Sequence, residues 1–330
     1  MKIESFFTLI FLLTLVNTIV ILRFLIPLLR SQNVGQKILE IGPRWHKGKE
    51  GTPTMGGIAF IIASTLSFFL FLILSFNRIE TKYFLASINI FVYALLNAMI
   101  GIIDDFAKLK KKKNEGLRPF TKFLFQAVAA ILFLISLKLS VGINTSIVLP
   151  FIGFSLELGF FYYIIAFLLL CGVVNSVNLT DGIDGLASSV SFTVGVFFSV
   201  LAISLYNDIV IGFFGAIIIG STLGFLVYNF YPAKIFMGDT GSLFLGGLIV
   251  SASFLIENPL LVLIYGFVFI LEAISVILQV LFFKVTKGKR LFKMAPIHHH
   301  LEKSGLSEVK IVFLLTFINA IFCVIAFLGV

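Results

Sequence analysis

The sequence predicts an all-α integral membrane protein of about ten transmembrane helices, and three observations predict it. Of its 330 residues, 59% are hydrophobic and only 12% are charged, and 40 are phenylalanine. Mean hydropathy is +1.10. No soluble domain of this size buries so much apolar surface, so lipid must be the solvent for most of it. Runs at 6–29, 56–74 and 164–174 reach or approach the roughly 20 apolar residues that a spanning helix requires.

Segmentation by hydropathy gives helices near 5–29, 56–76, 84–103, 121–139, 151–174, 187–206, 208–228, 241–256, 259–285 and 308–329. The first run has Glu4 in its flank and Arg23 inside it, and no small-residue cleavage site follows, so it reads as a permanent helix. Cys171 and Cys323 fall inside apolar runs, where a thiol behaves as a small hydrophobe. Apart from the lysine run at 110–113 there is no low-complexity segment and no alignable repeat, so 1–330 reads as a single polytopic domain.

The formal net charge is +9. Its carriers sit in short loops between apolar runs rather than on a folded soluble face, which points away from nucleic acid and towards membrane topology. The odd-numbered loops and their flanks hold about 20 of the 25 Lys and Arg residues, against Lys2, Arg78, Lys82 and Lys138 elsewhere. By the positive-inside rule the odd loops are cytoplasmic and both termini extracytoplasmic. The same loops collect nearly all polar residues that packing does not explain, so an active site is expected on that side.

Asp104 and Asp105 end the third run, with Lys108 one helical turn later. A solvated helix end with an internal ion pair is one reading; paired carboxylates that bind Mg²⁺ or supply a base, beside a phosphate-binding lysine, is the other. The third cytoplasmic loop, Asn175-Ser176-Val177-Asn178-Leu179-Thr180-Asp181-Gly182-Ile183-Asp184-Gly185, is either a tight turn or a backbone approach to a ligand, with asparagine amides suited to a nucleobase or ribose. Gly238-Asp239-Thr240-Gly241-Ser242 opens the eighth segment, where exposed amides favour anions and Asp239 is placed to cap or to coordinate. The first cytoplasmic loop carries Gly42-Pro43-Arg44-Trp45-His46, and the second carries Asn114.

His298-His299-His300 lack the ligand spacing of a zinc site and suit contact with phosphate better. Glu272 and Gln279 lie seven residues apart on one face of the ninth segment, and Glu272 reads as a buried structural polar group. No P-loop, dinucleotide fingerprint or nucleophile elbow is present in the sequence, which argues against an ATPase, a dehydrogenase and a serine hydrolase.

Taken in order, five segments resemble the phospho-N-acetylmuramoyl-pentapeptide transferase family. They are Gly51-Thr52-Pro53-Thr54-Met55-Gly56-Gly57, Asp104-Asp105-x-x-Lys108, the stretch 178–186, Phe236-Met237-Gly238-Asp239-Thr240-Gly241-Ser242 and Pro296-Ile297-His298-His299-His300. The resemblance runs from about residue 30 to the last helix. The aspartate motifs are shared with the wider polyprenyl-phosphate N-acetylhexosamine-1-phosphate transferases, whereas the Gly-Thr-Pro and Pro-Ile-His segments resemble the muramoyl branch.

The resemblance implies a homodimer in the bacterial plasma membrane, Mg²⁺ dependence, and UDP-N-acetylmuramoyl-pentapeptide and undecaprenyl phosphate as substrates, with lipid I and UMP as products. It also implies roles. Asp239 is the Mg²⁺ ligand, Asp104 or Asp105 prepares the lipid phosphate for attack, and His298 and Lys108 stabilise phosphoryl charge. Lys49, Thr54, Asn175, Asn178, Asp181, Gly182, Ile183, Asp184, Asn229, Phe236, Gln279, His299 and His300 are expected around the substrate, with Phe236 as a stacking surface for uracil. A transferase acting on UDP-N-acetylglucosamine is the competing enzyme reading. An ion-coupled transporter is the competing reading of another class, and it predicts carboxylates near the bilayer midplane and broken helices there.

Overall fold

The structure is a computed structural model and describes residues 3–31, 49, 51–111, 116–256 and 258–330. The Gly42–His46 segment, Lys112, Lys113 and Asn114 lie outside the described residues. Among the described residues, ten helices are long and apolar enough to cross a membrane. They are α1 (Ile3–Ser31), α2 (Gly57–Ser75), α3 (Thr81–Lys111), α4 (Pro119–Ser140), α5 (Phe160–Thr180), α6 (Leu186–Leu201) with its π-helical extension Ala202–Tyr206, α7 (Ile209–Asn229), α8 (Gly238–Ala252), α10 (Phe267–Val285) and α12 (Glu308–Leu328). The short helices α9 (Val262–Tyr265) and α11 (Ile297–Glu302) complete the set.

The expected all-α architecture holds with one exception. Residues 151–159, expected to begin the fifth helix, instead belong to a hairpin of β1 (Ser146–Val148) and β2 (Ser155–Glu157), paired antiparallel. Glycines at 142, 153 and 159, all with positive φ, turn the chain there. The fifth helix therefore starts later and also ends later. Asn175, Ser176, Asn178 and Thr180 lie on its last turns rather than in a loop. Three of these side chains satisfy themselves against carbonyls one turn back: Asn175 to Cys171, Ser176 to Gly172 and Thr180 to Ser176, each at 2.8 Å.

The expected continuous helix 259–285 is broken at Gly266. Backbone groups freed in an apolar layer need partners. Asn319 of α12 supplies them, accepting from the Val268 amide at 3.1 Å and donating to the Tyr265 carbonyl at 3.0 Å.

Burial separates the helices. The spans containing α7 and α8 are each 78% buried, whereas those of α1 and α10 are 28% and 22% buried and turn most of their surface outward. α8 is thus central, and its N-terminal end is reached from two sides. A Cβ at Gly57 of α2 would stand 2.2 Å from the Gly241 Cα, and one at Gly101 of α3 would stand 2.3 Å from the Asp239 carbonyl oxygen. Only glycine permits these approaches, which bring α2 and α3 against the first turn of α8.

Candidate active site

Backbone pairing joins the first and fourth motifs, far apart in sequence. Phe236 N donates to Pro53 O at 2.9 Å, Gly56 N to Phe236 O at 2.9 Å and Gly57 N to Met237 O at 3.0 Å. Thr54 sits against Gly238, whose positive φ of 70° lets the chain turn into α8.

The third helix runs beyond the expected residue 103 to Lys111, so Asp104, Asp105 and Lys108 share a helix end as the spacing predicted. Asp104 and Asp105 are buried, with 3% and 2% of their surface exposed. Asp239, on α8, is partly exposed, and one oxygen from each of the three carboxylates lies within 4.8 Å of the others. Asp105 reaches across to cap α8, whose own N-cap residue provides no side-chain bond. It accepts from Asp239 N at 3.2 Å, Thr240 N at 2.9 Å and Thr240 Oγ1 at 2.8 Å. Asp104 accepts from Leu117 N at 2.8 Å.

Lys108 Nζ touches all three acids, at 2.7 Å from Asp104, 3.5 Å from Asp105 and 3.1 Å from Asp239. A second lysine, Lys122 of α4, was not among the expected site residues. Its Nζ lies 2.7 Å from Asp239 Oδ2 and 3.3 Å from Asn178 Oδ1. Asn178 in turn donates to Asp239 Oδ1 at 3.1 Å and to Ser242 Oγ at 2.7 Å. The sequence signal of Lys122 was a cation at the start of an apolar run, where both function and membrane topology place lysines.

By formal charge, three carboxylates face two ammonium groups here, a negative excess of one. Hard oxygen donors with that excess suit Mg²⁺, which takes one or two carboxylates together with substrate phosphate and water.

Asp181 follows directly in the turn after α5. Burial, then the nearby carboxylates of Asp239, Asp105 and Asp184, push its carboxyl well above the usual range, with Lys108 opposing. Gly182 abuts the ring of buried His298 on α11. Ile183 is buried as a packing residue.

Asp184 is tied differently. Lys49 Nζ lies 2.7 Å from Asp184 and 2.5 Å from Glu308, and Ala233 N donates to Asp184 at 2.9 Å. Asn229 accepts from Gly185 N at 3.1 Å and donates to Ile235 O at 2.9 Å. Asn175 pairs with Gln126 at 2.8 Å.

The remaining expected residues form a separate group around 279–303. Gln279 accepts from Phe292 N at 2.8 Å, His300 Nδ1 accepts from Lys293 N at 3.1 Å and His299 Nδ1 contacts Glu302 at 2.6 Å. Gln279 also lines a cleft with Lys284, Arg290 and Lys303, which suits an anion.

A family model described as glycosyl transferase family 4 matches residues 85–257, the segment that supplies the three acids and both lysines. A phospho-N-acetylmuramoyl-pentapeptide-transferase signature matches 49–61, the segment paired to Phe236 and Met237. Relatives of that name agree along nearly the whole chain. The one from Caldanaerobacter subterraneus subsp. tengcongensis is 46% identical over 88% of this chain and 88% of its own length. The one from Clostridium novyi is 42% identical over 92% and 91%, and that from Halalkalibacterium halodurans 39% over 95% and 94%.

The chain belongs to the phospho-N-acetylmuramoyl-pentapeptide transferase family. As a member of this transferase family it is a phosphotransferase embedded in a membrane by ten apolar helices. The acidic cluster of Asp104, Asp105 and Asp239 lies wholly within the residues that the family model matches.

Proposed function

We propose that the chain transfers the phospho-N-acetylmuramoyl-pentapeptide unit of its UDP derivative to undecaprenyl phosphate with Mg²⁺, giving lipid I and UMP at the cytoplasmic face of the bacterial plasma membrane. The observation that carries this is the convergence of Asp104, Asp105 and Asp239 with two lysines at one end of the helix bundle. Phosphoryl transfer demands positioning and charge neutralisation above all, and this cluster offers both. Clustering at one end also disfavours a transporter, which would place carboxylates at mid-membrane.

Asp239 is the Mg²⁺ ligand in this reading, because it is the most accessible of the three acids. Mg²⁺, when bound, neutralises the diphosphate and eases departure of UMP. Asp105 has both oxygens committed to the start of α8, whereas Asp104 accepts one backbone amide and meets Lys108 with its other oxygen; in this reading Asp104 prepares the lipid phosphate for attack on the β-phosphorus. Lys108 and Lys122 bind phosphoryl oxygens as point charges.

The Asp181–Asp184 turn, Thr54, Asn229, Lys49 and half-buried Phe236 shape the nucleotide site, with Phe236 offering a ring face to uracil. Gln279, His299 and His300 flank the substrate from the α10–α11 side.

Loop charge supports cytoplasmic placement of the site with both termini outside, and the family resemblance supports a homodimer. Presenting UDP-N-acetylmuramoyl-pentapeptide and UDP-N-acetylglucosamine separately to purified protein with undecaprenyl phosphate tests the reading. UMP release with the first substrate alone is expected; release with the second alone overturns the assignment.

A further inference from the structure

Glu272 is a carboxylate with no exposed surface, within the apolar span of α10. Such a group is costly unless paired. Its neighbour is the imidazole of His298, with Oε2 standing 3.1 Å from Nδ1 and 3.4 Å from the His298 backbone nitrogen. The side-chain contact is an ion-pair approach rather than an aligned hydrogen bond, because His298 Nδ1 and Glu272 Oε1 have no hydrogen-bond partner among the described residues.

The other ring nitrogen, Nε2, is buried and equally without a hydrogen-bond partner. It faces Gly182, where an added Cβ would stand only 2.2 Å away. A purely structural pair would use its nitrogens on the protein. This one holds Nε2 against the glycine that follows Asp181, at the edge of the acidic site.

We propose that Glu272 is a positioning residue for His298. Its carboxylate faces Nδ1 and fixes the ring plane, so that Nε2 is held towards a phosphate oxygen of the nucleotide. The geometry tightens when the anionic ligand arrives, as catalytic hydrogen bonds do on complex formation. Gly182 is the window: a larger residue there would displace the ring. The proposal rests on the reading of His298 as a phosphate-facing group.

The test is a double-mutant cycle on purified enzyme with Glu272→Gln, His298→Ala and the pair, following kcat, KM for the UDP substrate and thermal unfolding. Glu272→Gln preserves shape and is expected to fold. It should lower kcat roughly 10- to 100-fold with little change in unfolding temperature, as loss of an orienting partner does. The double variant should be no slower than His298→Ala, and Glu272→Asp should recover part of the rate. Normal turnover of Glu272→Gln, or losses that multiply in the double variant, overturns the positioning role while leaving the proposed function intact. Near-normal turnover of His298→Ala overturns both this inference and the role given to His298.

Discussion

The carboxylate of Asp105 on α3 accepts both the backbone amide and the hydroxyl of Thr240 on α8, at 2.9 and 2.8 Å. One helix thus caps another, and the cap fixes where Asp239 points. Asp105→Ala is expected to lose both stability and activity. Buried donors left without a partner cost about 1–3 kcal/mol, so thermal unfolding in detergent should fall by several degrees. Asp104→Ala, which leaves the α8 cap intact, is expected to lose activity with a smaller change in unfolding temperature.

Lys122 holds Asp239 at 2.7 Å from a fourth helix, alongside Lys108. Lys122→Ala should slow turnover roughly 100-fold, the usual effect of removing one charge-stabilising donor. Steady-state UMP release checks it, and unchanged kcat would remove Lys122 from the site.

The raised carboxyl of Asp181 has a pH consequence whose sign follows from linkage. The folded state keeps the proton to higher pH than the unfolded chain, so this group's contribution is fully present below the ordinary carboxylate value of 3.8 and is lost as pH rises towards the folded value. Asp181→Asn removes that loss. In metal-free buffer its unfolding temperature relative to the unsubstituted protein should therefore increase as pH rises above about 4. A difference that stays flat with pH contradicts the shift.

Charge placement in the loops predicts sidedness. In right-side-out spheroplasts of a strain lacking other reactive thiols, an impermeant maleimide should label Ile152→Cys in the exposed hairpin and spare Lys289→Cys. The opposite pattern would invert the topology.

Much of this molecule was legible from its residues. Ten apolar runs foretold ten spanning helices because lipid leaves the backbone few choices. The Asp104, Asp105 and Lys108 spacing alone puts three groups of the candidate site on one helix end. The end of α5 was less legible, since Asn175, Ser176 and Thr180 look like loop residues to hydropathy but satisfy themselves within the helix. The break at Gly266 was hidden because its remedy, Asn319, lies on another helix. Lys122 was overlooked because a lysine at a helix end is also a topology signal. The commitment of Asp105 to α8 is a long-range contact that spacing along the chain does not encode.

The most direct measurement of the central claim is Mg²⁺-dependent UMP release by purified protein given UDP-N-acetylmuramoyl-pentapeptide and undecaprenyl phosphate, comparing the unsubstituted chain with Asp239→Asn. The account predicts UMP in step with lipid I, abolished by chelator, and lowered at least roughly 100-fold in a variant that still unfolds at a normal temperature. Comparable turnover by folded Asp239→Asn, or full activity without a divalent cation, would contradict it.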